Sequence, residues 1–144
     1  MQKLQSKVSK EQFERFRKHV CYWQVVLGLL DWGIECILAD TEVCAAAESD
    51  FQDAMDGTIT LAWVCDTAEQ HIATIYLRED MGDYGVRQTE IDKAAFHELC
   101  HLLFVPLERM GVRGTPTLDV LIEIHRLIRV LENTFYENQK KELK

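Results

Sequence analysis

Ala95-Phe96-His97-Glu98-Leu99-Cys100-His101-Leu102-Leu103-Phe104 sets two histidines four residues apart, with a glutamate directly after the first. On an α-helix, residues four apart lie one above the other, so both imidazoles face the same small volume. This His-Glu-x-x-His spacing suits zinc. A neutral imidazole nitrogen is a good zinc ligand, and two of them leave room for a water. Glu98 sits one residue round from His97, where its carboxylate can take a proton from that water. Zinc lowers the pKa of bound water toward neutrality, so a modest base is enough to deliver hydroxide to a carbonyl carbon. The reaction this predicts is hydrolysis of a peptide bond, with His97 and His101 as ligands and Glu98 as base.

The surrounding residues predict the helix that the motif needs. Ile91, Ala94, Ala95, Leu99, Leu102 and Leu103 supply an apolar face at helical spacing. Thr89, with Asp92 three residues on, is a candidate N-cap, and Pro106 bounds the far end. Cys100 points about a third of a turn away from His101, which reads as core packing. The competing explanation is an ordinary core helix whose histidines are satisfied by hydrogen bonds.

Upstream, Ser9 to Leu30 reads as a long amphipathic helix capped by Ser9, with Phe13, Phe16, Val20, Trp23, Gln24 and Leu27 as its stripe. His19 and Tyr22 ride on it, and His19 is expected to be structural or solvated rather than a ligand. Asp31-Trp32-Gly33 breaks this helix, and Ile34 to Ala39 reads as a first strand. Thr41 to Met55 is Ala- and acid-rich, with Thr41 as a possible cap, and suits a short helix or an insertion between strands. Thr58 to Cys65 and His71 to Leu77 have the β-branched and aromatic content of strands, and the short polar turn between them predicts a hairpin. Arg78 to Gln88 is a loop, in which Tyr84 is a candidate donor near the site.

Downstream, Thr115 followed by Pro116 is a helix start: a side-chain oxygen for the cap and a proline in the first turn. The last helix runs to about Tyr136 on an apolar stripe of Val120, Leu121, Ile124, Leu127, Ile128, Leu131 and Phe135. Glu137 to Lys144 reads as a charged, fraying tail. Helix, strand, hairpin, helix and helix make an α+β chain, with one domain over residues 1–144 and a core over about 9–136.

Composition narrows the function. At 144 residues, 47% hydrophobic and 28% charged, the chain reads as a globular protein able to bury a core. No apolar run is long enough to span a bilayer and the first residues read as no secretory signal, so a cytoplasmic location is expected. The net charge of −8 argues against a broad nucleic-acid-binding surface. The five cysteines are odd in number, widely spaced and without a Cys-x-x-Cys pair, which argues against a disulfide framework or a zinc ribbon.

Two histidines do not complete a zinc site, since a hydrolase normally adds a third protein ligand and leaves the fourth position open. The extended signature is absent, because Phe104 stands where its glycine would be and Leu107 where its third histidine would be. The final helix offers Glu123 and His125, which lie about 200° apart and cannot both reach one metal. Glu123 has Val120, Leu127 and Val130 as helical neighbours, and a carboxylate on apolar surface wants a cation. His125 has Arg129, Glu132 and Tyr136, a more solvated face. Glu123 is therefore favoured as the third ligand, with His125 as the alternative or as a group that steadies the site.

With these residues in place, the chain resembles the compact His-Glu-x-x-His metallopeptidases called minimal zincins, in particular short phage and prophage proteins that look like the catalytic cores of the SprT-like and ImmA/IrrE-like families. Trp23 with Leu27-Gly28-Leu29 and Asp31 to Ile34, then His71 to Leu77, Phe96 to Leu103 and Glu123 to Glu132 carry the likeness. The resemblance implies a leading helix, a small twisted, mostly antiparallel sheet, the motif helix beneath it, and a following helix that supplies the last ligand. It also implies a zinc cofactor, a peptide or protein substrate, and a sheet edge beside the cleft for which His71 to Leu77 is the candidate. The alternative function is a zinc-stabilised binding protein that cleaves nothing and engages a host or virion partner.

Overall fold

The computed structural model describes residues 4–48, 60–110 and 118–143. Its secondary structure is α+β, with four helices of at least eight residues and a three-stranded mixed sheet among the described residues. Helix α1 spans Lys10–Val26, strand β1 Gly33–Ala39, helix α2 Thr41–Glu48, strands β2 and β3 Ala62–Thr67 and Ile72–Arg78, helix α3 Gln88–Met110 and helix α4 Leu118–Leu131. A π turn over Glu132–Tyr136 follows α4, and helical turns continue to Leu143, so the described part of the charged tail is wound rather than frayed. The helix start expected at Thr115 and Pro116 lies outside the described residues.

The ends of the elements have local causes. Ser9 accepts from the Gln12 backbone N–H at 3.1 Å while the Gln12 side chain accepts from the Ser9 backbone at 2.8 Å, a reciprocal cap that starts α1. Gly28, at φ 71°, closes the helix with the left-handed residue that glycine supplies without strain. Helix α2 is capped by Asp40 rather than Thr41: the Asp40 carboxylate accepts from the Val43 N–H at 2.9 Å. Helix α3 begins at Gln88, placing Thr89 inside it, and runs on through Pro106. The proline removes one backbone donor, but the turn before it is anchored by the buried Leu102 and Val105, so the helix continues.

The sheet order is β1-β3-β2, with β1 parallel and β2 antiparallel to β3. Two expectations are corrected. The sheet is evenly mixed rather than mostly antiparallel, because the connection through α2 and β2 brings the chain back into β3 in the direction of β1. The His71 to Leu77 strand is central, so it is paired on both sides and is no open edge. His71 itself lies just outside the strand, at φ 52°. Stacking on Trp32 at 4.9 Å and an ion pair with Asp31 at 2.7 Å hold it in that uncommon conformation.

Alternation along β3 gives the sheet two different faces. Ala73, Ile75 and Leu77 point into the main core with Phe16, Val20, Trp23, Ile91, Ala95, Phe96, Leu99 and Ile128. Tyr76, on the other face, stacks on Trp63 at 5.0 Å in a smaller cluster with Ala39 and Cys44 of α2. Helices α1 and α3 pack on each other through Trp23 and Phe96, edge to face at 4.9 Å, and Phe135 and Tyr136 close on that pair. Residues 5–8, which periodicity leaves unassigned, run along the loop after β3: Val8 N–H donates to Glu79 and Val86 N–H to Gln5. No described helix is long and apolar enough to cross a membrane.

A polar seam ties α1 to α3. Arg15 binds the Asp92 carboxylate with two hydrogen bonds of 3.0 and 2.7 Å, and Gln88 donates to the same group at 2.8 Å. His19, buried beside them with Nε2 3.8 Å from Asp92, plays the structural part expected of it. Burial lowers its pKa below 6.5, with Asp92 opposing and Arg15 adding to the shift. A histidine whose folded pKa is depressed contributes its full stability above its unfolded pKa and loses it as the pH falls through that value toward the folded one. The metal-free protein should therefore melt at lower temperature as the pH drops below about 6.5, and His19→Gln should flatten that dependence. Identical pH profiles for the two proteins in thermal melts would remove His19 as the cause.

Candidate metal centre

Helix α3 presents His97 and His101 one turn apart, and α4 crosses it so that His125 meets both. The rings of His97 and His101 are 5.0 Å apart, and His125 lies 6.1 Å from the first and 4.9 Å from the second. One nitrogen from each ring falls in a group whose members all lie within 4.8 Å of one another. Among the described residues this is the group of three such side chains able to hold one ion. The packing that fixes it is apolar: Leu99 and Leu102 anchor α3, while Ile124 and Ile128 anchor α4, each at most 2% exposed.

The spacing fits a tetrahedral cation. Nε2 of His97 and Nε2 of His101 are 3.2 Å apart. Two nitrogens on one zinc, each about 2.0–2.1 Å from the ion at a tetrahedral angle, stand about 3.3–3.4 Å apart. The outer nitrogens are also engaged in a way that frees the inner ones. His125 Nδ1 lies 2.9 Å from the Leu121 carbonyl, which can only accept, so that nitrogen carries the proton and Nε2 keeps its lone pair. His97 Nδ1 faces the buried carboxylate of Glu132 at 3.4 Å.

Glu123 is not brought into this group. It is exposed, and Arg126 binds its carboxylate through Nε at 2.9 and 3.0 Å and through Nη2 at 2.6 Å, which lowers its pKa. The apolar neighbours that favoured it as ligand are outweighed by this arginine three residues on. The residues around His125 suggested a solvated face, and nothing local announces that α3 passes beside it. Tyr84 donates to Glu90 at 2.9 Å and carries Arg87 over its ring. Cys100 is fully buried, its thiol pushed up to about 12 chiefly by desolvation, which makes it packing rather than chemistry.

Glu98 is buried beside His97 on the core side of α3. Burial first, and the charge of Glu132 second, push its carboxyl up to about 8. A dication on the adjacent histidines would favour the ionised form and pull that value down. Glu132 is the residue that the periodic reading passes over. It stands on the stripe Ile124, Ile128, Glu132, Tyr136, all of them buried, and a carboxylate in line with apolar residues at steps of four is the signal that finds it.

No family model, no curated protein and no solved structure matches the chain. The residues themselves therefore carry the functional reading. His125→Ala should weaken zinc binding by more than the 10–100-fold that loss of an outer-shell partner costs, whereas Glu123→Ala should leave it unchanged. Zinc titration against a chelator of known affinity measures both, and the reverse ranking would restore Glu123 as the ligand.

Proposed function

We propose that this chain is a small zinc-dependent peptidase with the layout of a minimal zincin, in which His97, His101 and His125 hold the metal and Glu98 is the general base. The observation that carries the reading is the meeting of three imidazoles from two helices, with a buried glutamate next in sequence to the first of them. Three histidines leave a fourth position open, the arrangement of a catalytic rather than a structural zinc site. Zinc bound there supplies Lewis acidity toward water and toward a carbonyl oxygen.

The protein groups do the rest. Glu98 takes the proton of the attacking water and returns it to the departing amine. Its apolar surroundings raise its basicity and so suit both steps. An extended substrate can be held by backbone pairing at a sheet edge, which here means β1 or β2, because β3 is paired on both sides. An unstructured segment of a peptide or protein is the substrate class that fits such an edge.

Glu98→Gln keeps the size and hydrogen-bonding capacity of the side chain and removes the base. It should retain about one zinc per chain while lowering kcat on an unstructured protein substrate by about 100- to 10,000-fold. Equal, negligible turnover in the wild type and the variant, with zinc present in both, would replace the peptidase by a metal-stabilised binding protein.

A further inference from the structure

We infer that Glu132 is the positioning residue of the metal centre, holding His97 by Nδ1 so that Nε2 points at the ion; the inference rests on the metal reading above. Its carboxylate is placed where a carboxylate is costly. Glu132 is 7% exposed and lies in line with Ile124, Ile128 and Tyr136, and a charge in such surroundings persists only when something compensates it. The Glu132 carboxylate faces His97, with Oε2 3.4 Å from Nδ1. That separation is at the long end for an N–H···O bond and is of the kind that tightens when a site is filled.

The chemistry of the contact has one sense. A carboxylate only accepts, so Nδ1 of His97 must be the protonated nitrogen and Nε2 the lone pair. Nε2 is also the atom that faces Nε2 of His101 at 3.2 Å. The same carboxylate restrains rotation of the ring and makes Nε2 a better donor to a cation. His125 is set in the same sense by the Leu121 carbonyl, which occupies its Nδ1 and leaves Nε2 as its free donor atom.

The backbone at Glu132 is built for this. The regular helix gives way there to a π turn over Glu132–Tyr136, a widened turn that recurs at functional sites. The Thr134 hydroxyl donates to the Val130 carbonyl at 2.6 Å, supplying a bond where the ladder is interrupted. Tyr136, at the end of the turn, sits against Trp23 and Phe96, which fixes the turn to the α1–α3 core. The turn thus ties the Glu132 carboxylate to the same core that carries His97.

Two substitutions and one spectrum test the role. Glu132→Leu removes the acceptor, whereas Glu132→Gln keeps an amide oxygen that can still accept from Nδ1. In chelator-competition titrations the leucine variant should bind zinc 10- to 100-fold more weakly than wild type, with glutamine in between. The melting temperature of the metal-free leucine variant should equal or exceed that of wild type, because a buried carboxylate has gone. Wild-type zinc affinity in the leucine variant overturns the proposal, and so does a metal-free melting temperature that falls in step with affinity, which marks Glu132 as scaffold. Should that variant fail to fold, nitrogen-15 correlation spectra of the zinc-loaded wild type decide: a proton on Nδ1 of His97 is expected, and a bare Nδ1 refutes the role. A wild-type chain that takes up no zinc would instead remove the metal reading, and this inference with it.

Discussion

Bringing His97, His101 and His125 into one small volume is the constraint on which the rest of the site depends. Nε2 of His97 and Nε2 of His101 stand 3.2 Å apart, so their lone pairs can both face the gap only when a cation takes the place of a shared proton, and two buried carboxyl groups, Glu98 and Glu132, stand close enough for the second to raise the pKa of the first. A cation shared by the imidazoles would meet both constraints at once, since it would stand in for that proton and lower the cost of the adjacent negative charge. Without one, the same atoms must be accommodated by protons. The chemistry proposed for the chain follows from that single electrostatic fact.

The fold supplies the rigidity that such a site needs. Helix α3 is fixed on one side by α1, through Trp23 and Phe96, and on the other by the β3 residues Ile75 and Leu77, all fully buried. Helix α4 is held by Ile124 and Ile128 and then by the π turn that sets Tyr136 against the same aromatic pair. Each imidazole therefore rides on an element whose position is set by apolar packing a few residues away, so the three are held in place without an ion. The sheet contributes less to the metal than to this framework and to the edges it leaves at β1 and β2.

What was legible in the residues was local. The spacing of His97 and His101, the cap at Ser9 and the hairpin of β2 and β3 all follow from short-range rules, and the structure carries each of them, whereas the first helix ends at Val26 before Gly28 and not at the break expected over Asp31 to Gly33. Long-range arrangement was not legible in the same way. The parallel pairing of β1 with β3 depends on where the α2 connection returns the chain, and no alternation of side chains encodes it. The third member of the histidine group depends on how α4 crosses α3, and the apolar neighbours of Glu123 matter less than Arg126, one turn on, which binds its carboxylate. Glu132 is hidden for a different reason, since at helical spacing it falls with Arg129 and Tyr136 on what reads as the solvated face around His125, whereas Glu132 and Tyr136 are both buried.

The most direct measurement of this account is X-ray absorption at the zinc edge on the wild-type chain purified with zinc. The account predicts about one ion per chain, with three imidazole nitrogens at about 2.0–2.1 Å, one oxygen ligand and no sulfur. A shell containing sulfur, a shell with fewer than three imidazoles, or a chain that retains no metal after mild dialysis would contradict it.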